Sequence, residues 1–265
     1  SVADPPALPN HYIPSNGYLI NYLLALSLFA VSASFLFQQS ASPRKIVGAC
    51  GVKLRRVART IKEIERKTFH IAGLLVPLIH QLLLWFGVEQ SDCVRICVTI
   101  TVVGWACDFA RLRVPAIARN WPGRKLLREH ERNQLTGGCY FSLGCTLAIA
   151  ISPPSVAMAA ILFLVIGDMS AAIIGVSFGG ETVSLKLGRE GKKSLEGSLA
   201  MFSVCFCLGY SMFYSVRLAE YPAFFGALAA TVTELFEPLG LNDNLTIPVF
   251  ASIAMQFAFR RIHNC

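Results

Sequence analysis

Long uncharged windows of leucine, alanine, isoleucine, valine and phenylalanine alternate along this chain with short segments rich in charge. Each window approaches the ~20 residues that a helix needs to cross the hydrocarbon core of a bilayer. Lipid offers no partner to backbone N–H and C=O groups, so helices, which pair those groups internally, are the predicted elements. The windows run over residues 18–37, 69–87, 94–110, 137–151, 155–178, 198–216, 222–236 and 245–259. They predict an all-α, polytopic integral membrane protein of about eight spans, with about seven to nine as the range. The fourth, seventh and eighth windows are short and are expected to be tilted, kinked or partly re-entrant. Alternating segments of the kind that build a membrane barrel are absent, and no repeat period of roughly 20 to 50 residues stands out.

Composition agrees with the pattern: 54% of residues are apolar and the mean hydropathy is +0.53, too oily for a soluble domain of 265 residues. A net charge of +8 would fit a nucleic-acid partner in a soluble protein, but here the cations lie between windows. They gather at 44–67 after the first window, at 111–132 after the third and at 186–193 after the fifth. Connections after odd-numbered spans share one side of the membrane, so the excess of lysine and arginine places all three in the cytosol and the N-terminus outside. The expected partner is the bilayer and not nucleic acid, and most of these cations are expected to set topology and to meet anionic headgroups. Residues 1–17 are proline-rich without a basic leader pattern and are expected to form an external tail. The nine cysteines include no CxxC pair or metal-binding spacing; the seven in or beside windows read as small apolar packing residues, and Cys50 and Cys265 carry only a weak acylation signal.

Three polar clusters remain once topology is accounted for, and all fall at the cytosolic ends of spans. The first is Glu65-Arg66-Lys67-Thr68-Phe69-His70, where Arg66 and His70 are spaced to share a helix face. Arginine offers a fork for phosphate oxygens, lysine a compact charge and histidine a titratable group. The second surrounds Asp168, inside the fifth window among Gly167, Ala171, Ala172 and Gly175. Small residues serve close helix packing. A carboxylate at that depth costs several kcal/mol without compensation, so it reads as functional and suited to holding a divalent cation against nucleotide phosphates. The third is Gly188-Arg189-Glu190-Gly191-Lys192-Lys193-Ser194-Leu195-Glu196-Gly197-Ser198. Its glycines leave N–H groups open to an anion and Ser194 is placed to cap the following helix, a plausible phosphate cradle that lacks the Walker A order. His80, alone in the second window, is expected to be a packing histidine, and Glu234 and Glu237 are expected near the inner end of the seventh.

The joint order Arg66-Lys67-x-x-His70, Gly167-Asp168 with Gly175, Lys193-Ser194-Leu195-Glu196-Gly197-Ser198 and Asp243-Asn244 before Ile247-Pro248 resembles the polyprenol kinase family, which includes dolichol kinase, phytol kinase and the CTP-dependent diacylglycerol kinase. Asp108 and Arg111, and Glu131 with Thr136-Gly137 and Tyr140, fit the same pattern. The resemblance implies a helical multispanning enzyme that moves the γ-phosphoryl group of CTP onto a lipid hydroxyl with a divalent cation, Mg²⁺ or alternatively Ca²⁺. It implicates Arg66, Lys67, Asp168, Gly175 and Lys193; Asp168 would hold the cation or else accept the alcohol proton, with His70 and Glu131 as alternative bases. Lys192, Ser194, Glu196 and Gly197 would contact the nucleotide. Asp243 would join Asp168 at the metal, and Asp108, Arg111, Glu131, Glu234 and Asn244 would line the cavity. On this reading residues 65–265 form the kinase domain, and 1–64 hold the tail, a first anchor and a basic cytosolic segment. The lysine motif is Lys-Ser where the larger dolichol kinases carry Lys-Thr, and their many additional N-terminal spans have no counterpart, which favours a diacylglycerol, phytol or bacterial-type member.

Two other functions compete. A phosphatidate cytidylyltransferase also uses CTP at a membrane but transfers the nucleotidyl group. A secondary transporter would carry intramembrane acids, yet more often with paired repeat halves and polar groups spread through the midplane. The membrane itself is left open among endoplasmic reticulum, plastid and bacterial inner membrane, with the active site facing the cytosol. The acceptor alcohol and the oligomeric state are open as well.

Overall fold

The computed structural model describes residues 71–121, 130–178, 186–187 and 193–263. The expected first span, and with it Arg66, Lys67, His70 and Lys192, lies outside those residues. Every later window carries a helix: α1 (Leu75–Trp85), α2 (Gln90–Arg113), the short α3 (Pro115–Arg119), α4 (Gly137–Ile151), α5 (Pro154–Phe178), α6 (Leu195–Phe213), α7 (Glu220–Phe236) and α8 (Asp243–His263). The one strand pairing among the described residues joins β1 (Lys186–Leu187) to β2 (Lys193–Ser194), antiparallel, directly before α6. Four helices, α2, α5, α6 and α8, are long and apolar enough to cross a membrane; α1 and α4 are shorter apolar helices.

Proline and glycine punctuate the elements as their backbone chemistry requires. Pro115 opens α3 and Pro154 opens α5, where a missing N–H costs nothing. Gly87, at φ +85, turns the chain out of α1 in a conformation that suits only glycine.

Helix α5 is the hub. Ala157, Ala159, Ala160, Ile161, Phe163, Leu164 and Val165 are all fully buried, as expected of a helix apolar on every side. α2, α4, α8, α7 and α6 follow one another around it, with α1 against its N-terminal half. α2 is peripheral and turns Ile96, Val98, Ile100, Val102 and Val103 outward, the face that lipid would cover. Helices α5 and α6 meet at small residues: a β-carbon built on Gly197 would lie 2.7 Å from the Ala171 carbonyl oxygen and 3.3 Å from the Gly175 Cα. Close packing therefore accounts for the glycine and alanine around Asp168.

Up-and-down connections bring the C-terminal ends of α2, α5 and α7 beside the N-terminal ends of α4, α6 and α8. The opposite end holds a separate polar chain. His80 Nε2 lies 2.9 Å from Gln90 Oε1, and Gln90 Nε2 donates to the Ile149 carbonyl at 2.8 Å, joining α1, α2 and α4. His80 is thus a packing histidine, as its isolation in an apolar window led us to expect.

Candidate active site

Lys193 is the centre of the polar end. It stands in β2 one residue before the cap of α6, whose Ser194 Oγ accepts from the Gly197 N–H at 3.1 Å. Serine at this position satisfies one of the donors left open at a helix start and fixes where the chain enters the helix. The lysine reaches across to α7, where its ammonium is hydrogen-bonded and ion-paired to the Glu234 carboxylate, and Glu237 Oε1 lies 3.6 Å away. The two acids sit one turn apart, the second at the left-handed C-cap of α7 (φ +44), directly before Pro238. That conformation is uncommon for a non-glycine residue and disfavoured before proline. It ends the helix where the second carboxylate meets the cation.

Burial draws the Lys193 pKa down, but Glu234, then Asp243 and Asp168, act against it, and the net result lies above the ordinary lysine value. The ammonium is therefore charged at neutral pH, in a field set by acids from three helices. Asp168 is 3% exposed and opens the last part of α5 immediately after a π-helical turn, Phe163–Gly167. Such a turn holds an extra residue, changes the face that later side chains present, and recurs at functional sites. Asp243 begins α8 and its carboxylate accepts the Asn244 N–H at 2.8 Å. Gly175 lies beside Ser194: a β-carbon there would fall 3.1 Å from its hydroxyl oxygen. Glu196 is partly buried in the first turn of α6, and Gly197 is buried against α5.

The remaining expected residues form an adjoining network with structural duties. Asp108 and Arg111, both buried, pair at 2.5 Å at the end of α2. Arg111 also donates to the carbonyls of Arg132 (3.3 Å) and Gln134 (2.8 Å), while Asp108 accepts from the Thr136 N–H at 2.8 Å and from the Cys139 thiol at 3.3 Å. Glu131 accepts the Gly137 N–H at 2.8 Å, and Asn244 Nδ2 reaches the Gly137 carbonyl at 3.5 Å. The pair thus fastens the segment before α4, and Asn244 ties α4 to α8. Their spacing in the sequence marks Asp108 and Arg111 as neighbours on one helix; their attachment to residues 132–139 has no sequence signal.

Among the described residues, no three histidine, cysteine, aspartate or glutamate side chains gather tightly enough to hold a metal alone. Mg²⁺ on a nucleotide needs less, one or two carboxylates with phosphate oxygens and water, and Asp168 and Asp243 have that chemistry.

The chain is 27% identical over 209 residues to "CTP-dependent diacylglycerol kinase 1" of Schizosaccharomyces pombe, covering 72% of this chain and 90% of that protein. It is 28% identical over 202 residues to "Uncharacterized protein RP860" of Rickettsia prowazekii, covering 71% and 90%. No family model and no solved structure matches.

Proposed function

We propose that this protein is a CTP-dependent lipid kinase that transfers the γ-phosphoryl group of CTP to the hydroxyl of a membrane lipid alcohol, diacylglycerol or a polyprenol such as dolichol or phytol. The observation that carries the reading is a charged, partly buried lysine set among Glu234, Asp243 and Asp168 at one end of an apolar bundle. The distant likeness to a protein named as a CTP-dependent diacylglycerol kinase supports it.

Phosphoryl transfer asks chiefly for positioning and for compensation of charge on the leaving diphosphate. Lys193 supplies that charge, aided in the proposal by Arg66 and Lys67, and Glu234 holds its ammonium in place. Asp168 and Asp243 would hold the divalent cation, which would supply positive charge against the nucleotide phosphates. Asp168 has a second role open to it, accepting the alcohol proton, as do His70 and Glu131. Lipid hydroxyls lie at headgroup depth and CTP is soluble, so a site at the end of the bundle is reachable by both. On the positive-inside rule that end faces the cytosol, in a protein of about eight spans whose kinase domain covers residues 65–265.

The test is incubation of the purified protein with γ-labelled CTP or ATP and a panel of diacylglycerol, dolichol, phytol and phosphatidate. Label in a lipid monophosphate, from CTP in preference to ATP, supports the kinase. Release of labelled pyrophosphate with formation of CDP-diacylglycerol would make it a cytidylyltransferase instead.

A further inference from the structure

Beside the Asp108–Arg111 pair, an open cleft of about 600 Å³ runs between the end of α2, α3 and the Arg132-Asn133 segment. It is amphipathic. Phe109, Leu112, Pro115 and Ala118 make an apolar floor, and the arginines bring cationic groups to it. Arg111 is committed to Asp108 and to two backbone carbonyls and is 3% exposed, so it forms a wall. Arg113 and Arg132 are exposed, and neither has an acidic partner among the described residues. The Arg113 guanidinium lies 5.9 Å from the centre of the Phe109 ring, which holds it over the floor.

The position of the cleft selects its occupant. Arg113 is the last residue of α2, one of the helices long enough to span, so the cleft opens at the depth where a spanning segment leaves the hydrocarbon. The short α3 that follows exposes Val114 and Ile117, 41% and 39%, an apolar edge suited to the headgroup boundary and poorly suited to water. A soluble anion would need the arginines and would leave the floor uncovered. A phosphodiester on a glycerol carrying acyl chains satisfies both.

We infer that the cleft between the end of α2, α3 and the Arg132-Asn133 segment is a binding site for one anionic phospholipid, with Arg113 and Arg132 on its phosphate and the apolar floor under its glycerol and upper acyl carbons. The inference does not depend on the kinase reading, since its readout is binding.

The full chain in detergent, incubated with equal amounts of phosphatidylglycerol and phosphatidylcholine of identical acyl chains, is examined by native mass spectrometry. The wild type retains one phosphatidylglycerol in preference to phosphatidylcholine, and R113Q/R132Q lowers the retained fraction at least ~10-fold, because both cations that attract the anionic headgroup are lost. R260Q/R261Q, which removes the same charge at the opposite end of the bundle, leaves retention unchanged. Both replacements fall on exposed side chains, and an unchanged melting midpoint verifies the fold. Equal retention of the two lipids, equal loss in R260Q/R261Q, or displacement of phosphatidylglycerol by an equal concentration of inorganic phosphate would each overturn the assignment.

Discussion

Lys193 illustrates how a single side chain acquires a function from its surroundings. Replacing it with alanine removes the compensating cation and should lower kcat at least ~10²-fold, by analogy with loss of one transition-state donor; a change confined to the KM for lipid would contradict the role. Glu234→Gln keeps the lysine but removes its main anchor, leaving Glu237 at 3.6 Å. Without Glu234 the influence that raises the lysine pKa shrinks while burial, which lowers it, remains. The alkaline limb of the kcat profile should therefore move to lower pH in Glu234→Gln than in the wild type, and an unmoved limb would detach Glu234 from Lys193. Asp168→Asn should abolish phosphorylation in micelles while leaving the melting midpoint close to that of the wild type. The acid itself was legible in the sequence because a carboxylate inside an apolar window has few structural uses. The partnership of Lys193 with Glu234 was not, since the two stand 41 residues apart and meet only when β2 is laid against the end of α7.

At the scale of the element, the start of α6 was readable: a serine directly ahead of an apolar run is a cap signal, and the Ser194 hydroxyl does accept the Gly197 N–H. The same glycine has a second duty that only packing reveals. A methyl group at Gly197 would press on the Ala171 carbonyl, a backbone atom that cannot turn aside, so Gly197→Ala should cost roughly 1–3 kcal/mol and push α6 from α5. Thermal unfolding measures that cost, and a melting midpoint equal to that of the wild type would show that the two helices have room to give. At the end of α2, Arg111→Met would leave buried Asp108 without its cation, an imbalance of about 3–5 kcal/mol that should appear as a large drop in melting midpoint. The sequence offered Asp108 and Arg111 as cavity residues. Their hydrogen bonds to each other and to residues 132–139 make them the fastening of the segment before α4, a role invisible to helix spacing because its partners belong to an irregular segment.

For the whole molecule, the testable quantity is sidedness. In a background without other cysteines, Asn120→Cys and Leu241→Cys, at the polar end, should react with a membrane-impermeant maleimide supplied from the cytosolic side, as in inside-out vesicles, and Glu220→Cys, at the opposite end, with the same reagent supplied from outside intact cells. Labelling of Asn120→Cys and Leu241→Cys from different sides would break the single-ended site. The amino-acid pattern by itself determined that the described residues are mainly helical and about where each long helix falls, because a run of apolar residues in lipid must pair its own backbone and only a helix does so within one segment. It also singled out Asp168, Lys193 and Ser194, whose chemistry is out of place or position-specific on a single element. Only the tertiary structure decided that α5 lies at the centre, that its glycines serve contact with α6, and that Glu234, Asp243 and Asp168 share the field around one lysine. Those facts depend on which helix ends become neighbours, and that is settled by the fit of side chains between helices remote in sequence, for which hydropathy carries no signal.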